Sequence, residues 1–287
     1  MTTTLKPPKV TFRVPYIAWP TIMMFLACVS IWSASFILVG RDYMAFGWGM
    51  LLNFIAAFVS FTPLHDASHR TVARPRWINE VVGRICSYIL LSPFTAFRYV
   101  HFEHHKHTNH EHKDPDFWSG MEPKWLLPVR WLTQDIHYYF VYLNVWNKRP
   151  LRERIETVVT LIVVWAFIIT LCLNGFAAPV LLLWVIPSRM ATFSLAYSFD
   201  YLPHKPHKIT SAENRYKATV IRPSPLLTPI LIYQNFHLIH HLYPNVPFYR
   251  YGDVWRQQKE FLLAKGAEMR SLTGKVIEPE TTVELSN

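Results

Sequence analysis

The stretch that decides the fold is 157-TVVTLIVVWAFIITLCLNGFAAPVLLLWVIPSRMATFSLAYSF-199. It carries one charge, Arg189, and one polar break, Asn174-Gly175. About 20 apolar residues cross a bilayer as a helix. The stretch is long enough for two crossings, with the Asn-Gly pair as the turn. Working back toward the N-terminus, Val14–Gly40 holds no charged residue and Tyr43–Leu64 holds none either. The reading is therefore an all-α integral membrane protein. It has four transmembrane helices in two hairpins, roughly 16–40, 43–65, 155–174 and 178–203. A cleaved signal peptide is the rival for the first. Its apolar run exceeds an h-region of about 7–15 residues, and no small-x-small cleavage site follows.

The chain has 287 residues, 51% of them hydrophobic, and a net charge of +10. Placement of the charge is more telling than its sum. The turn at 41–42 holds one Arg and one Asp, and the turn at 174–178 holds no charge. Most Lys and Arg fall before residue 14, between 66 and 154, or after 204. By the positive-inside rule those regions, and both termini, face the cytoplasm of a bacterial inner membrane or its equivalent. The basic surface suits anionic lipid headgroups and an acidic electron-transfer protein; nothing points to nucleic acid. The apolar runs 78-INEVVGRICSYILLSPF-94 and 225-PLLTPILIY-233 are too short to cross and read as interfacial helices. Trp118, Trp125, Trp131 and Trp146 read as interface anchors or packing groups. Cys28, Cys86 and Cys172 form no CxxC and read as small apolar packing residues. Residues 1–13 and about 270–287 read as loose tails around a single domain.

Three histidine clusters stand against this apolar background: 65-HDASH-69, 101-HFEHH-105 and 237-HLIHH-241. Residues three and four apart share a helix face, so each cluster aims its imidazoles one way. One such pair is weak evidence, but three clusters with repeated spacing are strong evidence. In the expected topology all lie on one side of the membrane, and His204 joins them at the end of the fourth span. These form a cytoplasmic histidine-rich cap. A four-coordinate zinc needs three or four ligands. His65, His69, His101, His104, His105, His204, His237, His240 and His241 point to two ions with four or five rings each. Imidazole suits Zn, Cu, Fe and Ni alike.

Asp66, Glu103, Asp114, Asp116 and Asp200 are candidates to orient the imidazoles through their second nitrogens. Each is equally well a solvated or turn-forming acid, and Asp114-Pro115-Asp116 has turn chemistry. His107, His110 and His112 drift off the ligand face. His207 follows Pro206, which disfavours helix there. His137 reads as ordinary. Arg189, after Pro187, is either functional or paired with a polar group in the bundle.

The clusters resemble the three histidine boxes of the membrane fatty acid desaturase/hydroxylase superfamily, and the similarity covers most of the chain. The likeness is strongest to CrtR-type β-carotene hydroxylases. It rests on 65-HDASHR-70, 112-HKDPDF-117, 200-DYLPHKPH-207 and 233-YQNFHLIHHLYPNVPFY-249. A departure is 104-HHKHTNH-110, richer in histidine than that group and similar to ketolases and alkane-type hydroxylases. The resemblance implies a di-iron centre on the nine histidines and Asn235 as the holder of a water near one iron; an amide at a helix start is the alternative for Asn235.

The resemblance also implies O2 as co-substrate and two electrons from a ferredoxin, rubredoxin or cytochrome. It implies hydroxylation of a carotenoid ring, or desaturation of an acyl chain as the alternative. An apolar substrate puts Phe61, Tyr99, Phe102, Phe199, Tyr201 and Phe236 forward as cavity residues, each also a candidate for plain packing. A metal transporter would place its ligands within the membrane depth, whereas these lie outside the spans. A zinc protease would need HExxH, and HFEHH has the wrong order.

Overall fold

The computed structural model describes residues 10, 12, 14–271 and 273–278. Three segments are long and apolar enough to cross a membrane: Trp19–Gly40, Phe46–Ser68 and the 51-residue Leu151–Tyr201. The first two are helices α1 (Trp19–Gly40) and α2 (Phe46–Ser68), packed as an antiparallel pair. The 51-residue segment differs from the expected pair of separate helices in being helical almost throughout. It nevertheless folds back on itself at the Asn-Gly pair, where Asn174 leaves helical geometry and Gly175 takes φ +90°. Only glycine adopts that backbone freely. The fold-back brings Phe167 and Trp184 to 6.4 Å between ring centroids; along a straight helix they would be about 25 Å apart. The first arm is α7 (Leu151–Leu171). The second comprises α8 (Ala177–Val180), a π-turn and α9 (Ile186–Leu195), ending in a further π-turn over Ala196–Tyr201.

Pro187 sits at the start of α9 and cannot donate to the turn before it. The Leu183 carbonyl, four residues earlier, accepts from Asn53 Nδ2 at 2.6 Å, and Asn53 Oδ1 accepts from the Ser35 hydroxyl at 2.5 Å. The Ser35 hydroxyl also reaches the Trp32 carbonyl of its own helix, and Asn53 thus links all three spanning segments at one depth. Gly49 lets them close there: a Cβ on it would stand 2.8 Å from both Leu183 and Val39.

Between α2 and α7 lie α3 (Arg76–Ile89), α4 (Phe94–His107), a 3-10 turn at Pro115–Gly120, α5 (Leu127–Leu132) and α6 (Gln134–Asn144). The 78–94 run is α3 and its exit turn. Val82, Cys86 and Ile89 pack into the core against α2, while Trp77, Val81 and Tyr88 face outward. Arg84 bridges Glu80 and Glu156, and Arg98 also pairs with Glu80, so α3, α4 and α7 are tied by ion pairs. The 225–233 run departs from the expected interfacial helix. Two prolines limit it to one turn, α11 (Leu227–Ile230), and Ile232 and Tyr233 then take φ +48° and +63°. Ile232 turns into the core and Leu226 and Ile230 stay exposed.

The remainder holds α10 (Ser211–Asn214), α12 (His237–Leu242) and α13 (Tyr251–Ala264), with β1 (Val220–Ile221) paired parallel to β2 (Glu268–Met269). Leu238, Ile239, Val254 and Leu262 are fully buried in the cluster that seats α12. The expected tails fall mostly outside the described residues. The part that is described is tied down: Arg270 N donates to the Ile221 carbonyl and Ile277 N to that of Met269, while Val10 and Phe12 pack on the α12 cluster.

Candidate metal centre

HDASH closes α2, with His65 in its last turn and His69 capping it. HFEHH lies in the second half of α4, and HLIHH is α12 itself. His204 follows the π-turn that ends the second arm of the fold-back. The structure brings all nine rings to one end of the apolar bundle in two adjacent groups, each able to hold a metal ion. The first group is His65, His69, His101, His105 and His240; the second is His104, His204, His237 and His241. Within the first, Nε2–Nε2 separations are 2.9 Å for His65–His240, 2.8 Å for His69–His101, 3.1 Å for His101–His105 and 2.7 Å for His105–His240. Within the second they are 3.2 Å for His104–His241 and 3.0 Å for both His204–His237 and His237–His241.

These separations test the fit. Imidazole nitrogens sit about 2.0–2.1 Å from a divalent ion, so ligands at right angles lie about 3.0 Å apart and tetrahedral ones about 3.4 Å. The observed edges match the right-angled case, in which an ion keeps positions open for other ligands. Two bare rings this close, each turning Nε2 to the other, need a cation or a shared proton between them.

Second nitrogens are engaged selectively. His104 Nδ1 meets Asp114 Oδ1 at 2.7 Å, with Asp116 Oδ2 at 3.4 Å. His237 Nδ1 lies 3.2 Å from Gln234 Oε1, His240 Nδ1 lies 3.1 Å from the Tyr251 hydroxyl, and His241 Nδ1 lies 3.3 Å from Thr108 Oγ1. Such contacts fix ring orientation and leave Nε2 free for an ion. Asp114 also caps the turn at Pro115, accepting from Asp116 N and Asn109 N, so both sequence readings of this acid hold. Asp200 lies 3.5 Å from the Tyr138 hydroxyl, which donates to Asp116 at 2.6 Å.

Asp66 spends its hydrogen bonds elsewhere, as does Asn235 Nδ2, whereas the buried Asn235 Oδ1 has no hydrogen-bond partner. Asp66 accepts from the Thr21 hydroxyl, and Asn235 Nδ2 braces the Arg222 carbonyl and Thr228 Oγ1. Glu103 faces Lys106 and His107 on the outer side of α4. His107, His110, His112, His137 and His207 stand outside both groups. Gln234, Tyr251 and Thr108 were not foreseen. Only Gln234, three residues before His237, carries a signal in the sequence, the helical i, i+3 spacing.

Burial sets the charge of the rings. It holds His69 and His237 near a pKa of about 3, so both are neutral and ready to ligate. His104 moves the other way: burial opposes its charge, but the Asp114 and Asp116 carboxylates prevail and raise it to about 9.

Two spaces lie close to this centre, and only the second is lined by one of its histidines. A narrow cavity of about 50 Å³ runs among α2, α4, α6 and α9, lined by Phe61, Phe97, Gln134, Tyr138 and Asp200 among others. Phe61 stacks on His65 and Phe97 on His101. Phe61 is thus the foreseen aromatic that lines it, whereas Phe199 and Phe236 are core and Tyr201 packs on Trp131. The second space is an open vestibule bordered by His69, Arg70, Arg98, Tyr99, Phe102 and Arg149. Arg189, left open by the sequence, makes a two-point pair with Asp135, 2.7 and 2.6 Å, at the edge of the cavity.

Three segments apolar and long enough to cross a membrane, capped by two groups of imidazoles each able to hold a metal ion, are features of an integral membrane protein. The chain belongs to the fatty acid desaturase family, whose pattern it matches over residues 41–273. It is 27% identical over 219 residues to a beta-carotene ketolase of Haematococcus lacustris, covering 71% of this chain and 62% of the relative. The chain therefore spans less than two thirds of the length of that ketolase. It is 29% identical to a beta-carotene ketolase of Paracoccus over 75% of this chain and 78% of the relative. It is 26% identical to an sn-1 oleoyl-lipid 12-desaturase of Synechocystis over 81% and 73%.

Proposed function

We propose that the chain is a di-iron oxygenase that hydroxylates an apolar lipid, a carotenoid ring first of all. The observation that carries this reading is the convergence of nine imidazoles into two groups with right-angled edges. His65, His69, His101, His105 and His240 would hold one iron, and His104, His204, His237 and His241 the other. When bound, the irons supply the activation of O2 that no side chain can perform. The balance is R–H + O2 + 2 e⁻ + 2 H⁺ → R–OH + H2O. A second round at the same carbon gives a geminal diol, which loses water to a ketone; one catalyst thus serves hydroxylase and ketolase outcomes.

The chain's own residues do the rest. Phe61 and Phe97 shield the faces of His65 and His101 and present an apolar wall to the substrate. Asp114 and Asp116 offset positive charge at the second group and hold His104 in the Nε2-facing orientation. The vestibule beside His69 carries Arg70, Arg98 and Arg149 together with Glu103 and Glu153, with Arg98 paired to Glu80 and Arg149 to Glu153; docking of an acidic electron donor there would rest on Arg70 and on the chain's overall positive charge. Four spans, with both termini and the metal centre on the cytoplasmic side, complete the reading. Acyl desaturation is the second reading, favoured by the 26% identity to the Synechocystis desaturase.

Expression in a host that makes β-carotene, with pigments, acyl chains and bound iron all measured, tests the proposal. Oxygenated pigment supports the first reading, and new acyl double bonds the second. A chain loaded with two irons and supplied with reduced donor that alters neither overturns both.

A further inference from the structure

Ring contacts leave the histidine groups in two directions of unlike composition. Toward the narrow cavity they run through phenylalanine: Phe61 stacks on His65, Phe97 stacks on His101, and Phe199 lies 5.5 Å from Phe61 between centroids. The rings of the other direction do not line the cavity. His207 lies 6.2 Å from His204, Tyr201 5.8 Å from His207, Trp131 5.3 Å from Tyr201 and Tyr197 4.9 Å from Trp131. Tyr197 also lies 6.1 Å from Tyr201 and is 40% exposed, so this series connects the second histidine group to the surface. Two other tyrosines stand near the ligands. Tyr251 meets His240 and Tyr138 meets Asp116, but among the described residues neither has a ring contact that leads outward. Phenylalanine has no O–H or N–H to lose with an electron, whereas tyrosine and tryptophan do.

We infer that Tyr201, Trp131 and Tyr197 carry oxidising equivalents out of the metal centre when O2 is reduced with no lipid in place, so that the chain is also an oxidase that turns O2 into water. The inference rests on the oxygenase reading and adds this second activity to it. A centre of that kind must keep its oxidant off its own side chains. With lipid bound, the C–H bond supplies the last two electrons. Without it they come from the chain: Tyr201 gives up one electron and its phenolic proton, and is refilled through Trp131 and Tyr197. The exposed Tyr197 radical then takes one electron and one proton from a small reductant at the interface, a thiol or an enediol such as ascorbate. Two passages complete the balance O2 + 2 e⁻ + 2 H⁺ + 2 RSH → 2 H2O + RSSR, in which the protein donor supplies the two free electrons. The phenylalanines on the cavity side keep this route away from the lipid.

The test uses the iron-loaded full chain in nanodiscs of saturated lipid. It is reduced anaerobically and given repeated pulses of O2 in the presence of catalase, with neither carotenoid nor ascorbate. O2 uptake, bound iron and the sites of side-chain oxidation, mapped by peptide mass spectrometry, are read after each pulse. Wild type is expected to take up O2 and to collect oxidation at Tyr201, Trp131 and Tyr197, and added ascorbate to suppress all three marks. Tyr201→Phe keeps the packing and cuts the route. The marks on Trp131 and Tyr197 are then expected to vanish although both rings remain, while the ligand histidines oxidise and iron is lost in fewer pulses. Trp131→Phe combined with Tyr197→Phe should leave Tyr201 marked alone and shorten iron retention in the same way. The iron content of each variant before the first pulse shows that it has folded. Marks on Trp131 and Tyr197 that persist in Tyr201→Phe come from diffusing oxidants and overturn the inference; so does equal iron retention in all three proteins. A wild type that takes up O2 only once β-carotene is added needs no such route, which overturns the inference alone. One that takes up O2 under neither condition overturns the oxygenase reading as well.

Discussion

Arg189 and Asp135 allow a quantitative forecast. Arg189 lies in the apolar 51-residue segment and meets Asp135 of α6 through two hydrogen bonds of 2.7 and 2.6 Å. The two side chains are 26% and 10% exposed, so neither has a full water shell. Hydrogen bonds between charged groups contribute about 1.5–3 kcal/mol each. Removing one partner of such a pair strands the other and costs about 3–5 kcal/mol. Arg189→Met is expected to lose that amount, and Asp135→Leu about 2.5–3.5 kcal/mol, the penalty for an unpaired cation within a span. The double variant replaces two charges by two apolar groups and is expected within about 1 kcal/mol of wild type. The sum of the single losses would therefore exceed the double by about 5 kcal/mol or more. The assay is unfolding by SDS from mild detergent, followed by fluorescence of the 11 tryptophans. A double variant that loses as much as the two singles together would show that the pair contributes nothing as a pair, and the account of Arg189 would fall.

Four more outcomes are expected. Asp114→Asn removes the charged acceptor from His104 and weakens one of the two metal sites by about 10–100-fold; chelator titration with metal analysis should show one ion leaving early, and two ions of unchanged affinity would refute it. His105→Ala should lower bound iron and abolish activity, and full activity at full loading would contradict its place in the first group. His137, stacked on Trp118 at 4.6 Å, is held at a pKa of about 4 by burial and by Arg130. Its unfolded value is about 6.5, so between pH 6.5 and 4 the unfolded chain binds the extra proton and acid destabilises the fold. His137→Phe keeps the stack and should lower the slope of stability against pH over that window by about one proton's contribution, the other buried histidines keeping theirs; an unchanged slope would refute the assignment. Turnover with an acidic soluble donor should fall as salt rises, and salt-independent turnover would argue against docking at the vestibule.

Much of this is legible in the sequence. The apolar runs carried the three long apolar segments, because length and composition are readable directly, and the Asn174-Gly175 break marked where the third folds back. The i, i+3, i+4 spacing of the histidines carried their shared faces, because helix geometry is local. What remained hidden depends on tertiary placement. Asp66 and Asp114 are both acids near a histidine box, yet only Asp114 meets a ring, because the chain doubles back at Pro115 to place it there. The 225–233 run read as an amphipathic helix because hydropathy cannot see two successive residues with positive φ.

The adjacent histidines have a mechanical consequence. On α4, His101 and His105 serve one cage while His104 serves the other; on α12 the division is reversed, His240 against His237 and His241. Neighbours on a helix are about 100° apart around its axis. Rolling either helix therefore drives one ring inward as its neighbour swings out. No small rotation relieves both cages at once, and each resists the motion that would favour the other. The gap between the two cages is thus gauged by the pitch of two helices rather than by any atom bridging them.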